Sequence, residues 1–353
     1  MLGTRTPETQ IDLQNGTTPH DEQRREHRGT GREAIAEPSE FAEKPQESKI
    51  LSIVIVAWNC RSQIEECLRS IQRIDLKRFE TIVVDNNSTD GTAEFLASIG
   101  EEPRERLGLR TIFQETNAGL SQASAVAVEK SSGEWLLACN PDIVFTEDFG
   151  KMLDFARSHD FPILVPQLIS SNGNRQYCTR EFTFTRLFFN LTRSGRLINR
   201  VLARNFFARE SHYNYILFER PMLVDHPVAS FLLIKRSSIR QLGGLFSLEF
   251  PVYFGDTDLF TRAAAQKVPI VFLPAIRMFH QMSYSRAVLP PEIVQFMFTN
   301  GMVRYADKWG KFPTMLKALL TIDAIVAPLT HARLPSKSDI SRSAYALKGA
   351  FTP

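Results

Sequence analysis

The sequence predicts an α/β protein built on a mostly parallel, twisted sheet of the doubly wound, Rossmann-like kind, flanked by helices and closed by C-terminal helices. Three observations point there. Continuous apolar, β-branched runs recur at 51–58, 81–84, 110–113 and 135–139, too uniform for strands with one wet face. Segments of helical period separate them, with short connections. Three of these runs end in Asn59, Asp85 and Asp142, and right-handed crossovers set such ends along one edge of the sheet.

Composition bounds the function. The chain has 353 residues, 43% of them apolar, enough for one large domain with a real core. A formal charge of +3 gives no global field for nucleic acid. The four cysteines (Cys60, Cys67, Cys139, Cys178) follow no metal spacing and read as reduced thiols of a cytosolic protein. The polar N-terminus predicts no signal peptide, and no uncharged apolar run is long enough to span a bilayer.

Residues 1–48 are nearly free of large apolar side chains and are expected to be disordered. The fold starts with the strand Leu51–Trp58. Ser62-Gln63-Ile64-Glu65 has the form of a capping box, and Ile64, Leu68 and Ile71 share one helical face. Strand 81–84 runs into Asp85-Asn86-Asn87-Ser88-Thr89-Asp90-Gly91-Thr92, a loop of turn and cap residues, with a helix from about Thr92. Strand 110–113 is followed by Asn117-Ala118-Gly119 and an Ala-rich helix over about 121–131. Trp135–Cys139 is a strand that Asn140-Pro141-Asp142 ends, because proline cannot continue a ladder. A carboxylate at that edge suits a divalent cation beside a diphosphate; it equally suits a turn that caps a helix.

A short strand is expected at 163–165. Between Arg175 and Arg220, arginines interleave with phenylalanines, which fits either a solvated helical excursion or a surface for anionic headgroups. Val228–Ile234 is a strand with Ala229 and Ser230 near its start. In Phe254-Gly255-Asp256-Thr257-Asp258, both acids suit the first turn of a helix that runs to Gln266. Asp256, next to an aromatic run, also suits a general base. A last strand over 268–273 leads to Phe279-His280, where the histidine is either structural or a metal ligand. From Pro290 two helices follow, one carrying Ile293, Phe296 and Met297 and one over 315–329, which fit a membrane surface or the core equally well; residues 334–353 read as a flexible tail.

The order of these motifs resembles family 2 glycosyltransferases of the GT-A fold. Ser52 to Asn59 is similar to the family's opening strand, and Val83 to Gly91 to its second-strand signature. Asn117-Ala118-Gly119-Leu120 resembles the Asn-x-Gly-Phe segment, and Asn140-Pro141-Asp142 the Asp-x-Asp position. Phe254 to Asp258 resembles the Glu-Asp-x-Asp motif, and Phe279-His280 the late histidine. The register runs from about 50 to 285, and the rhamnosyltransferase-like branch is the most similar. The resemblance implies a catalytic domain over 49–285, with a nucleotide-sugar half (49–145) and an acceptor half (146–285), then helices over 286–333.

It also implies roles. Ala57, Asn59, Asp85, Asn87, Asn117, Gly119 and Asn140 would bind the nucleotide sugar. Asp142 and His280 would hold Mg²⁺ or Mn²⁺, Asp256 would be the base of an inverting transfer, and Ser230 and Asp258 would meet the acceptor. The implied donor is a nucleoside-diphosphate sugar, with dTDP-L-rhamnose as first choice and a UDP-sugar as the other. The implied acceptor is a glycan or lipid-linked saccharide of cell-surface polysaccharide synthesis, met at the inner face of the plasma membrane. Asn140 and Gly255 stand where the family has acids, and Ala229-Ser230 where it has Gly-Ala. These departures keep a catalytically weak sugar-nucleotide-binding scaffold in view. A sugar nucleotidyltransferase is the other alternative, and the loop after the first strand lacks the glycines it needs.

Overall fold

The computed structural model describes residues 50–351 except 76, 177, 182, 193–194, 196–197, 199–219, 282–288 and 327–336. The expected disorder of residues 1–48 and most of the Arg- and Phe-rich stretch lie outside the described residues.

The first half is a run of β–α units. Strand β1 (Leu51–Ala57) leads to α1 (Arg61–Gln72), β2 (Phe79–Asp85), α2 (Thr92–Ser98), α3 (Glu101–Leu107), β3 (Leu109–Phe113), α4 (Leu120–Lys130) and β4 (Trp135–Cys139). These four strands pair in parallel in the order β3-β2-β1-β4. Alternate residues bury against opposite layers: Leu51, Ile53 and Ile55 pack with α1, while Val54 packs with Ala123 and Ala127 of α4. A sheet covered on both faces is why its strands read as unbroken apolar runs.

The second half is mixed. After β5 (Ile143–Val144), α5 (Asp148–His159) and β6 (Ile163–Ser170), a helical turn α6 (Phe184–Arg186) continues as a π-helical stretch, Leu187–Leu191. Then come β7 (Met222–Leu223), β8 (Phe231–Lys235), α7 (Arg236–Gln241), α8 (Gly255–Ala265) and β9 (Ile270–His280). Strand β8 is antiparallel to both β4 and β6, β9 is parallel to β6, and β5 and β7 pair antiparallel to β9. The mostly parallel expectation therefore holds from β1 to β4 and gives way to mixed pairing beyond. The carboxyl ends of β1, β2, β4, β6 and β9 and the start of β8 still share one edge, which carries the site.

Several local expectations are corrected. No capping box forms at Ser62: α1 starts at Arg61, and its amino end is capped from another loop, where Cys60 N donates to Thr92 Oγ1 at 3.0 Å and Arg61 N to Asp90 Oδ2 at 3.0 Å. Strand β9 does not stop at Leu273. A register shift between Pro166 and Gln167 sets Leu273 and Arg277 against consecutive β6 residues, so the chain passes Pro274 and pairs on to His280. Helix α5 is not among the expected elements, although Phe149, Met152, Leu153 and Ala156 bury one face of it.

The C-terminal helices α9 (Pro291–Lys308), α10 (Pro313–Val326) and α11 (Lys337–Phe351) build a third apolar cluster against the 250–254 loop, with Phe254, Met302, Tyr305 and Leu316. Of the two readings of these helices, packing on the core describes α9, which buries Met302, Val303, Tyr305 and Ala306. The flexible tail from 334 is corrected: Asn300 Nδ2 on α9 donates to Gly349 O at 3.2 Å, and a Cβ at Gly349 would lie 2.5 Å from Phe296 O. Two backbones this close make one packed unit. No described helix is long and apolar enough to cross a membrane.

Candidate active site

The site grows out of the ends of β4 and β9. After Cys139 the chain turns at Asn140-Pro141 into β5, whose Ile143 pairs with His280. That register sets Asp142 beside the end of β9, and Gln281 N donates to Asp142 O at 3.0 Å. Asp142 Oδ1 lies 3.3 Å from His280 Nε2, with both residues over nine-tenths buried. On its other side, His280 Nδ1 is 3.0 Å from Gln176 Oε1. With Nδ1 turned to Gln176, Nε2 is the ring nitrogen on the side of the Asp142 carboxylate. One carboxylate oxygen and one imidazole nitrogen suit Mg²⁺ or Mn²⁺. No group of three or more His, Cys, Asp or Glu among the described residues completes a metal shell, so the pair fits a cation whose other ligands come from substrate and water.

Asp142 faces a cavity of about 490 Å³, walled by Trp58, Asn86, Asn117, Gly119, Asn140, Tyr253 and Met297 among others. That is the size class of small-ligand sites. A second cavity of about 190 Å³ holds Ser230, Gly255 and Asp256 in its wall. The two share Val56, Leu120, Asn140, Val252 and Tyr253. Asp142 and Asp256 thus line two adjoining cavities.

Among the described residues in these two walls there is no lysine or arginine. Burial pushes the Cys139 thiol well above its usual range and the Cys60 thiol up to about 12, so neither supplies a thiolate at the cleft edge.

The donor-side candidates divide. Asn117, Gly119 and Asn140 line the larger cavity. Asn86 Nδ2 donates to Asn117 Oδ1 at 2.7 Å, and Asn86 Oδ1 accepts from Ala118 N at 3.2 Å, which fixes the loop before α4. Ala57 and Asp85 are buried cross-strand partners outside the cavity's wall. Asp85 Oδ2 accepts from Ser88 N at 3.1 Å, while Oδ1 is buried with no partner among the described residues. Such an atom costs about 1–3 kcal/mol unless a donor reaches it. Asn59 and Asn87 also stand outside that wall: both hold left-handed turn conformations, and Asn59 Oδ1 ties the two loops together by accepting from Thr89 N at 2.7 Å.

Of the acceptor-side candidates, Ser230 lines the smaller cavity, where its Oγ accepts from Asn140 Nδ2 at 3.1 Å. Asp258 does not. It is fully buried, and its carboxylate is taken up by Arg262 Nε (2.8 Å), Lys308 Nζ (3.0 Å) and Trp309 Nε1 (3.1 Å). Sequence reasoning missed Gln176, which orients His280, and Trp58, Asn86, Tyr253 and Met297 in the wall. Asn86 stands in the second-strand signature, a signal that could have found it; nothing local singles out Gln176.

Comparison with known proteins places this geometry. The model of the family described as Glycosyl transferase family 2 matches residues 52–241, more than half of the chain. The chain belongs to glycosyl transferase family 2. A relative in the family, the N-acetylglucosaminyl-diphospho-decaprenol L-rhamnosyltransferase of Mycobacterium tuberculosis, is 26% identical over 280 residues, which cover 75% of this chain and 87% of that protein. A PGL/p-HBAD biosynthesis glycosyltransferase of Mycobacterium bovis is 25% identical over 56% of this chain and 78% of its own. A crystal structure of GalNAc-T7 with UDP, GalNAc and Mn²⁺ superposes with a TM-score of 0.56 at 14% identity, covering 86% of this chain and 56% of that one, a likeness of GT-A fold. The protein is therefore a glycosyltransferase, and neither the scaffold nor the nucleotidyltransferase alternative is needed.

Proposed function

We propose that this glycosyltransferase moves a sugar, with inversion, from a nucleoside diphosphate to an acceptor hydroxyl, with Asp256 as general base and Asp142 and His280 as the protein ligands of Mg²⁺ or Mn²⁺. The observation that carries the reading is the shared wall: a metal-type pair and a second carboxylate open onto adjoining cavities with Asn140 between them. The cation, when bound, offsets the charge that builds on the departing diphosphate. The acceptor oxygen forms its bond to the anomeric carbon as the bond to the diphosphate breaks. The leaving nucleoside diphosphate keeps that electron pair, and the acceptor's proton passes to the Asp256 carboxylate.

The partnerless Asp85 Oδ1 supports a nucleobase that offers a ring N–H, as thymine and uracil do. The apolar wall of the smaller cavity, with Val54, Val56, Leu120, Val228 and Val252, supports a 6-deoxyhexose, so dTDP-L-rhamnose is the first donor to test. The name of the Mycobacterium tuberculosis relative supports a diphospho-polyprenol-linked saccharide as acceptor. Exposed Met315, Ile322 and Ile325 on α10 support work at the inner face of a membrane, where such an acceptor resides.

Asp256→Asn tests the reading. Transfer is expected to fall by about 10²–10⁴-fold, while donor binding, followed as a thermal shift, is retained. Near-full turnover in that variant would remove Asp256 from the chemistry.

A further inference from the structure

Behind Asp256 lies a hydrogen-bonded chain that the transfer chemistry leaves unused. Asp256 Oδ1 accepts from the backbone N–H of Thr257 at 2.8 Å, and the Thr257 hydroxyl is 3.4 Å from the same oxygen. On its far side, Thr257 Oγ1 is 3.0 Å from His226 Nε2. Thr257 is buried, so its hydroxyl proton goes to a protein partner. Thr257 thus stands between the imidazole and the carboxylate, and its one hydroxyl joins His226 to Asp256.

We propose that His226 is a positioning residue for the base, acting through Thr257; this rests on Asp256 being the base. The imidazole is itself held. His226 N donates to Thr179 O at 3.0 Å, the His226 carbonyl accepts from Thr179 N at 2.7 Å, and Phe260 meets the ring edge-on at 5.1 Å. These contacts fall on Oδ1 of the carboxylate. Burial holds the His226 pKa below its ordinary value, against the opposing pull of the Asp256 carboxylate, the ring's bond to its own backbone carbonyl and the Asp225 carboxylate, so the ring is neutral at neutral pH. A neutral ring braces the base without placing a cation two contacts away.

The test compares His226→Phe, His226→Gln and Thr257→Val in the full chain, with kcat, donor KM and the pH profile of kcat/KM as readouts. His226→Phe is expected to lower kcat by about 10–100-fold, the usual scale for a partner one shell out, with donor KM unchanged. Losing the chain changes the surroundings of Asp256, so the acid limb of the profile is expected to move. His226→Gln keeps an N–H and is expected to recover part of the rate. Thr257→Val removes the link, and its combination with His226→Phe is expected to cost no more than either alone. If His226→Phe does not fold, Thr257→Val, near in volume to the parent, carries the same readouts. Wild-type kcat and an unmoved acid limb in the folded variants, with Asp256→Asn inactive, overturn the role of His226 and leave the base in place. An active Asp256→Asn removes both.

Discussion

In the first half of the sheet, parallel strands lie side by side: Ile55 sits between Val83 and Cys139, and Val83 beside Thr111. In the second half, strand pairing turns mixed and side-chain contacts join the elements. Ile143 meets His280, Asn140 reaches Ser230, and Trp309 reaches back to Asp258. The first half is made by apolar burial along parallel strands, which many sequences satisfy. The second half adds specific polar contacts to its apolar burial. The donor cavity leans on the first half and the chemistry on the second, so damage to each half should look different.

The largest effect is expected at the tie between Asp142 and His280. Asp142→Asn, or chelation of the intact enzyme, should lower transfer by about 10²–10³-fold, because stabilising the leaving group's charge is worth several kcal/mol and each 1.36 kcal/mol is tenfold. Mg²⁺ or Mn²⁺ should restore the chelated enzyme and not the variant. Nucleoside diphosphate release measures both. Full turnover in chelator would make the contact a structural joint of β5 and β9, no different in kind from the pairings of the first half.

Asp258→Asn comes next and should read as stability. It leaves Arg262 and Lys308 beside a neutral amide at a site with no solvent access to the carboxylate, and breaking a buried pair costs about 3–5 kcal/mol. A denaturant melt should show that loss, while the folded fraction transfers at close to the parent rate. Unchanged stability with lost transfer would return Asp258 to the acceptor site. The contrast with Asp256 is the instructive part. Both acids lie in the first turn of α8, where the helix dipole favours either. One faces a cavity and the other is enclosed by α9.

This contrast also marks what the sequence could show. The order of β1 to β4, and the edge where Asp85 and Asp142 stand, are legible because burial on both faces writes itself as apolar runs. Asp256 and Asp258 look alike in the sequence because what separates them, Trp309, lies 51 positions on. Local rules end strand β9 at Leu273 because Pro274 is a breaker, and only the β6 register shows the irregularity that lets the strand pass. That missed extension is what delivers His280 to Asp142. The false capping box at Ser62 has the same origin: its motif is complete, and Asp90 and Thr92 of another loop take the N–H groups. Helix α5 is a different kind of miss, since its apolar period is present in the chain.

The smallest effect expected is at the seam between the halves. Gly119 has φ +87° and ψ 167°, a region that only glycine enters readily, and a Cβ there would lie 2.7 Å from Pro251 O. Next to it, Ser121 N and Oγ donate to Pro251 O and Phe250 O at 3.1 and 2.5 Å. The amino end of α4, in the first half, thus grips the loop that leads to Asp256, the proposed base, in the second. Gly119→Ala must move either α4 or that loop, at a cost of about 1–3 kcal/mol. If the halves are coupled here, the stability loss should come with a fall in kcat larger than any rise in donor KM, because the loop ends at Gly255 and Asp256. Measured on protein folded at low temperature, a loss of stability with kcat intact would mean the base is held from its own side alone, by Thr257 and the α9 cluster.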